Sequence, residues 1–367
     1  MRNLFSLGTL AVLLFSSCTI GRMVVFQFSD IRDYKRFPDR PLASSTEPFR
    51  LEYGDTAAFN ALDLRLYADG EAKYPLDQLN AEHKTVAFLV IQNGKILHER
   101  YHQGYAETSW IASFSMAKSY ISALTGIAIQ EGHIGSERDR VAQYIPELAA
   151  RFPELTIRHL LQMTAGIKHA ENYFNPFAGV AKSYYGRGLR RQVARLKPEY
   201  DPGTQFHYQS ISTQVLGQVV ANATGRTLTD YLQEKIWDPL QMEHPASWSI
   251  DQRRKGMEKA FCCINATARD FAKFGLLYLN RGQWQGRSVV PEEWVRKSTA
   301  IDAAENAWDG YQYQWWIVSK NGDYTAEGHL GQFIYIYPDK DLVIVRLGKN
   351  YGGVYWKETF REIAAQL

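Results

Sequence analysis

The sequence predicts an α+β fold in which an antiparallel sheet built from both chain ends is flanked by helices, with a helical lobe inserted between them. Three observations carry that prediction. Short β-branched or alternating apolar runs lie near residues 85–101 and again over 313–347, the apolar spacing between about 110 and 280 is helical, and no internal repeat divides the chain. Strands at both ends with helices between them leave a cleft between sheet and lobe, where ligand sites preferentially form.

The composition supports a large core. At 367 residues, with 45% hydrophobic and 22% charged side chains, 27 Gly and 13 Pro, the chain is that of an ordinary globular protein, which excludes disorder, collagen and a disulfide scaffold. The balance of 42 basic against 39 acidic residues leaves a net charge of +3, too weak a field to argue for nucleic acid. One basic cluster, Arg187, Arg190, Arg191 and Arg195, is expected on a solvated helix face.

In chain order, residues 1–17 have the layout of an export signal: an early charge at Arg2, an apolar run from Leu4 to Phe15, then Ser16 and Ser17. Cys18 follows directly, a pattern that resembles a bacterial lipoprotein signal with Cys18 as the lipidated first residue. An uncleaved anchor, with apolar character resuming at Met23–Phe26, and plain secretion are the alternatives. Each places the folded part outside the cytoplasm, the first of them held to the membrane by its lipid. Residues 18–48, polar and rich in proline and serine from Asp30 to Pro48, are expected to be a tether, with a single domain over 49–367 and the helical lobe at about 130–265. Thr85–Ile91 and Ile96–Tyr101 flank the turn signal Asn93-Gly94 and predict a hairpin, whose His98 and His102 are expected on a solvated face.

Helices are expected from Tyr120 to a stop at Gly132, and over Ile157–Met163, Thr213–Ala223, Leu228–Lys235 and Thr267–Leu279. Four strands follow: Tyr313–Val318, Tyr324–His329, Phe333–Tyr337 and Leu342–Leu347. Tyr311, Tyr313, Trp315 and Trp316 are candidates for a cleft wall, core packing being the commoner role. The adjacent Cys262 and Cys263 show no metal-ligand spacing and are expected to be buried thiols.

Three short segments carry chemistry. Ser115 and Lys118 are three apart at the start of a helix, so one turn brings hydroxyl and amine to the same face, beside unpaired backbone N–H groups that suit an oxyanion. A lysine desolvated among apolar neighbours loses proton affinity and can take the serine proton. Tyr208, with Ser210 two residues on, sits just before a helix and could move a proton at a reacting oxygen or nitrogen. Glu327-Gly328-His329-Leu330-Gly331-Gln332 leads into a strand, where flanking glycines permit close backbone approach and the Gln332 N–H could complete an oxyanion hole.

Ser115-x-x-Lys118, Tyr208-x-Ser210 and His329-Leu330-Gly331, in that order, resemble the motifs of the serine β-lactamase and penicillin-binding-protein-like hydrolases, in the class C and esterase branch. Tyr144–Leu148, Thr156–Leu161 and Pro202-Gly203 look like the same family, and the resemblance spans roughly 85 to 367. It implies the β-lactamase/DD-peptidase-like fold, attack by Ser115 on an ester or amide carbonyl with Lys118 as base, proton relay by Tyr208, and an oxyanion held by the N–H groups of Ser115 and Gln332. It implies neither metal nor organic cofactor, and no nucleic-acid partner. His329 and Gly331 would line the substrate cleft, as would Ser210. Two residues depart from the β-lactamase pattern: Ser210 stands for the asparagine that contacts the substrate amide, and His329 for the lysine that attracts a substrate carboxylate. Glu171-Asn172-Tyr173 is similar to a loop of the 6-aminohexanoate-oligomer hydrolases that places a tyrosine over the substrate amide, which makes Tyr173 a binding candidate. The expected activity is therefore cleavage of small esters or amides. Alternatives are a β-lactamase or a penicillin-binding cell-wall protein acylated at Ser115 that serves as a sensor or slow D,D-peptidase.

Overall fold

The structure is a computed structural model that describes residues 21–22 and 28–367, apart from 63, 69–71, 174, 176 and 303. The expected signal segment and Cys18 lie outside the described residues. Among those residues no helix is long and apolar enough to cross a membrane.

Both chain ends build one antiparallel sheet of seven strands. These are β1 (Thr85–Gln92), β2 (Lys95–Tyr101), β3 (Tyr311–Gln312), β4 (Trp315–Ile317), β5 (Tyr324–Gly328), β6 (Gln332–Tyr337) and β7 (Leu342–Gly348), in the spatial order β3-β4-β5-β6-β7-β1-β2. The Asn93-Gly94 turn joins β1 and β2 with both residues at positive φ, as a two-residue hairpin connection requires. β7 pairs with β1, Ile344 opposite Val90, and so stitches the C-terminal hairpins to the N-terminal one. β1 is apolar almost throughout because both faces of the sheet are covered. Leu89 and Ile91 enter the larger core with Ile334, Val343 and Val345, whereas Phe88 and Val90 meet Phe333, Tyr335 and Ile344 in a second core on the opposite face.

Helices α1 (Ala117–Gln130), α3 (Ala268–Leu279) and α4 (Trp356–Gln366) supply those covers, and α2 (Ser210–Thr224) packs on α1. α3 lies on the sheet at Gly275, where a Cβ would meet Ile334 and Val343 at 2.8 Å. α1 sits behind α3, with Tyr120 stacked on Phe274 at 3.7 Å, and is buried from Ala117 to Ala128. α4 covers the second core through Trp356, Phe360, Ile363 and Ala364, which recur at helical spacing along one face, an element absent from the sequence expectations.

Four expectations are corrected. Residues 28–48 are not a loose tether: Asp39–Leu42 pairs with Ala246–Ser249 in a second sheet, and Ile31, Phe37 and Leu42 are core residues. His98 is buried rather than solvated, because the helices Thr56–Ala61 and Leu76–Glu82 cover that face of β2 and set Phe59 and Asp77 against its ring. Desolvation lowers its pKa to about 4. The strand expected over Tyr313–Val318 is broken by a tight turn with Tyr313 and Gln314 at positive φ. The Gln314 side chain holds that turn by donating to Leu160 O and Leu161 O and accepting from Thr213. Cys262 and Cys263 are joined as a disulfide rather than left as thiols. The arginines of the 187–195 cluster are exposed, as expected.

Candidate active site

Ser115 lies in the single turn Phe114–Met116 that leads into α1. Phe114 holds φ +44°, a sparsely populated backbone state for a residue with a side chain. The turn is held from outside. Ser113 N–H donates to Ile264 O at 2.8 Å, Ser113 Oγ accepts from Ile264 N–H at 3.1 Å, and the Phe114 ring packs edge-on against His329 at 5.6 Å. Ser113 therefore braces the turn against a strand and makes no side-chain cap bond to the helix.

One turn on, Lys118 is buried with its Nζ among three oxygens: Ser115 Oγ at 2.9 Å, Phe261 O at 3.1 Å and Ser210 Oγ at 3.2 Å. Burial lowers its pKa to about 7, against the opposing pull of the Glu171 carboxylate. The Tyr208 ring lies 5.1 Å from the same nitrogen and is wedged between Tyr311 and Trp316. Burial pushes its phenol well above the ordinary tyrosine value, so Tyr208 is a neutral O–H at any working pH. Its hydrogen bond with Ser115 works in the opposite direction. The aromatic strand pair thus divides: Tyr311 and Trp316 seat Tyr208, while Tyr313 and Trp315 pack inward against Trp294 and Tyr278.

Ser210 opens α2, and Glu171 reaches that helix end from a distant loop. Its Oε2 accepts from Ser210 N–H at 3.0 Å and its Oε1 from Ser210 Oγ at 2.5 Å and from the Tyr173 hydroxyl at 2.8 Å. Burial works to raise the Glu171 pKa, but His169 3.6 Å away, the nearby Lys118 amine and the two Ser210 donors together hold it low. Tyr173 stacks on His329 at 5.2 Å, the two rings 6° from parallel, and together they roof the cleft. Desolvation keeps His329 below the usual histidine pKa and so neutral at pH 7.

Ser115, Ser210, Tyr173, Tyr184, Phe261 and His329 line this cleft, and Cys262 lies beside them. Its cavity volume is about 30 Å³. Of the residues singled out from the sequence, Ser115, Lys118, Tyr208, Ser210, His329 and Tyr173 come together. Gln332 and Gly331 are not among the residues that line the cleft. The element beside the Ser115 turn is β5, where a Cβ on Gly328 would meet Ser113 O at 2.3 Å. Gln332 pairs with Gly328 from the next strand over and spends its side chain on Gly348 and on His329 O. Gly331 backs onto the buried Arg346, whose guanidinium donates to Gly331 O at 2.7 Å and would sit 2.1 Å from a Cβ there. Two contributors were missed in the sequence. Glu171 carries no signal beyond its place beside Tyr173, and the Phe261 carbonyl has no sequence signature. Among the described residues no cluster of metal-ligating side chains forms.

This chain belongs to the beta-lactamase family, whose pattern it matches over residues 76–367. It is 30% identical to the 6-aminohexanoate-dimer hydrolase of Paenarthrobacter ureafaciens over 294 residues, 74% of each protein. Among solved structures, a provisionally named 6-aminohexanoate-dimer hydrolase from Bacillus anthracis superposes with a TM-score of 0.80 at 24% identity, covering 92% of this chain and 93% of the other. A penicillin-binding protein from Bacillus halodurans shares the fold, with a TM-score of 0.63 at 17% identity over 79% of this chain and 98% of its own. The family and these relatives make the chain a hydrolase of the serine β-lactamase-related type, and the α+β β-lactamase-like fold expected from the sequence is the fold found.

Proposed function

We propose that this protein cleaves small esters or amides, including amide-linked oligomers, through an acyl-enzyme on Ser115. The observation that carries the proposal is the buried Lys118 amine 2.9 Å from Ser115 Oγ with its pKa near 7, a base whose proton affinity matches the working pH. Ser115 Oγ attacks the carbonyl carbon as its proton passes to Lys118. Tyr208, a neutral phenol at the same serine, gives its proton to the leaving oxygen or nitrogen as the tetrahedral adduct collapses, and is reprotonated from Lys118. Water then attacks the ester by the reverse sequence and frees Ser115. The Ser115 N–H is one donor to the oxyanion. His329 N–H, directly after Gly328 on the strand beside the nucleophile turn, is better placed than Gln332 N–H to be the second.

The charge pattern favours this reading over efficient β-lactam hydrolysis, because a neutral His329 and an anionic Glu171 give the cleft no pull on a substrate carboxylate. The test exposes the protein, and its Ser115→Ala variant, to a chromogenic short-chain ester, a short amide-linked oligomer and a chromogenic cephalosporin, with product release and intact mass followed. Ser115-dependent turnover of ester or amide is expected. A lasting cephalosporin adduct without turnover would instead assign a penicillin-binding role, and wild-type rates in Ser115→Ala would refute the nucleophile. A lipid anchor at Cys18 outside the cytoplasm is part of the same proposal, and loss of radiolabelled palmitate incorporation in Cys18→Ser checks it.

A further inference from the structure

A neutral Lys118 has two hydrogens and one lone pair to share among three oxygens. Phe261 O is a carbonyl and only accepts, whereas the Ser115 and Ser210 hydroxyls can each donate or accept. Which serine meets the lone pair decides whether the amine is a base toward Ser115 or is occupied elsewhere. Glu171 resolves the choice. An ionised carboxylate only accepts, and its Oε1 lies 2.5 Å from Ser210 Oγ, so the single Ser210 proton is drawn to Glu171. Ser210 is left as an acceptor toward Lys118, two of the amine hydrogens go to Ser210 and Phe261, and the lone pair faces Ser115. The carboxylate is itself fixed by Ser210 N–H on Oε2 and by the Tyr173 hydroxyl on Oε1.

We propose that Glu171 is a positioning residue for the Ser115–Lys118 pair: by accepting the Ser210 proton it orients Ser210 as an acceptor and aims the lysine lone pair at the nucleophile. This rests on the roles given to Ser115 and Lys118 above and deepens them. Ser210 thereby acts as a one-way connector, a role for which a hydroxyl suffices.

The charged and titratable groups that face the network are Lys118, His169 and Tyr173 around Glu171, and Tyr208 and Tyr311 on its cleft side. The Glu171 charge favours protonated Lys118, so its removal lowers the pH at which the lysine becomes a base. Glu171→Gln keeps the shape but has only one acceptor. If that oxygen satisfies the Ser210 N–H, the amide NH₂ faces Ser210 Oγ, and the hydroxyl turns to donate into the Lys118 lone pair.

The experiment measures pH profiles of kcat/KM on a short-chain ester for wild type, Glu171→Gln, Ser210→Ala and the double variant, with melting curves to confirm folding. For Glu171→Gln the plateau is expected to fall by about 100-fold, the order of a lost general base. Its acid limb is expected to move roughly one pH unit downward, as loss of a neighbouring anion dictates. Adding Ser210→Ala removes the misdirected hydroxyl and is expected to restore the plateau by roughly tenfold, a non-additivity typical of residues in one network. Loss of the charge moves the limb whatever else Glu171 does, so the double variant decides: a merely structural role makes it worse than either single one, and that result overturns the proposal. An unmoved limb in Glu171→Gln overturns it as well, since it would show that Glu171 does not act on Lys118. Should Glu171→Gln fail to fold, Ser210→Ala alone decides: loss of an acceptor for the ammonium moves its acid limb down, and an unmoved limb overturns the proposal. Failure of the nucleophile assignment is seen separately, as Ser115-independent turnover in the wild-type background.

Discussion

Replacing Lys118 by methionine tests the buried base through stability, without any substrate. A lysine whose pKa falls from 10.5 in the unfolded chain to about 7 in the fold favours the unfolded state by about 5 kcal/mol when both forms can be protonated. The sign follows from proton counting. Between pH 7 and 10.5 the unfolded chain binds the proton and the folded one does not, so wild-type stability rises with pH across that window. The penalty is complete below pH 7 and vanishes above 10.5. Methionine fills nearly the same volume and removes the penalty, but it leaves the Phe261 carbonyl without its donor at a cost of roughly 1–3 kcal/mol, and the two hydroxyls must find other partners. The net expectation is a variant more stable than wild type by about 3 kcal/mol at pH 6 and less stable by about 2 kcal/mol at pH 10.5, the sum of those two effects. Denaturant unfolding of both proteins across that range measures the difference, in which other titrating groups cancel. A difference that stays constant between pH 7 and 10.5 would mean that Lys118 keeps its proton in the fold, held by Glu171, and could not serve as the base.

Two further predictions probe the walls of the site. Gly328→Ala is expected to cut turnover by about 100-fold or more, because its Cβ would meet Ser113 O at 2.3 Å and push the nucleophile turn aside. Near-wild-type kcat/KM in that variant would show that β5 does not position Ser115. Cys262 and Cys263 are expected to resist alkylation in denaturant until a dithiol is added, after which peptide mapping should find both labelled. Labelling before reduction would return them to the thiols expected from the sequence.

The legible parts of this protein share one property: their meaning is local. Asn93-Gly94 between two apolar runs specifies a hairpin, and Ser115 and Lys118 one turn apart specify that hydroxyl and amine meet. The apolar spacing of α1 through α3 specifies helices wherever those helices dock. The spacing of Trp356, Phe360 and Ile363 in α4 is an equally local signal. The Tyr313-Gln314 turn was not local in this sense, since neither residue favours positive φ and the conformation is held by Leu160, Leu161 and Thr213.

The sequence by itself determined the alternation of strand and helix, the closure of the sheet by both chain ends, and the two segments that supply Ser115, Lys118 and Tyr208. Tertiary structure alone decided what surrounds them. It buried His98 under helices that arrive from upstream, drew residues 28–48 into the core, and turned Gly331 toward Arg346 rather than the cleft. It also brought Glu171 from a loop to the first residue of α2. Periodicity is written in neighbouring residues, whereas burial, proton affinity and the direction of a hydroxyl proton depend on groups that become neighbours only when distant segments pack.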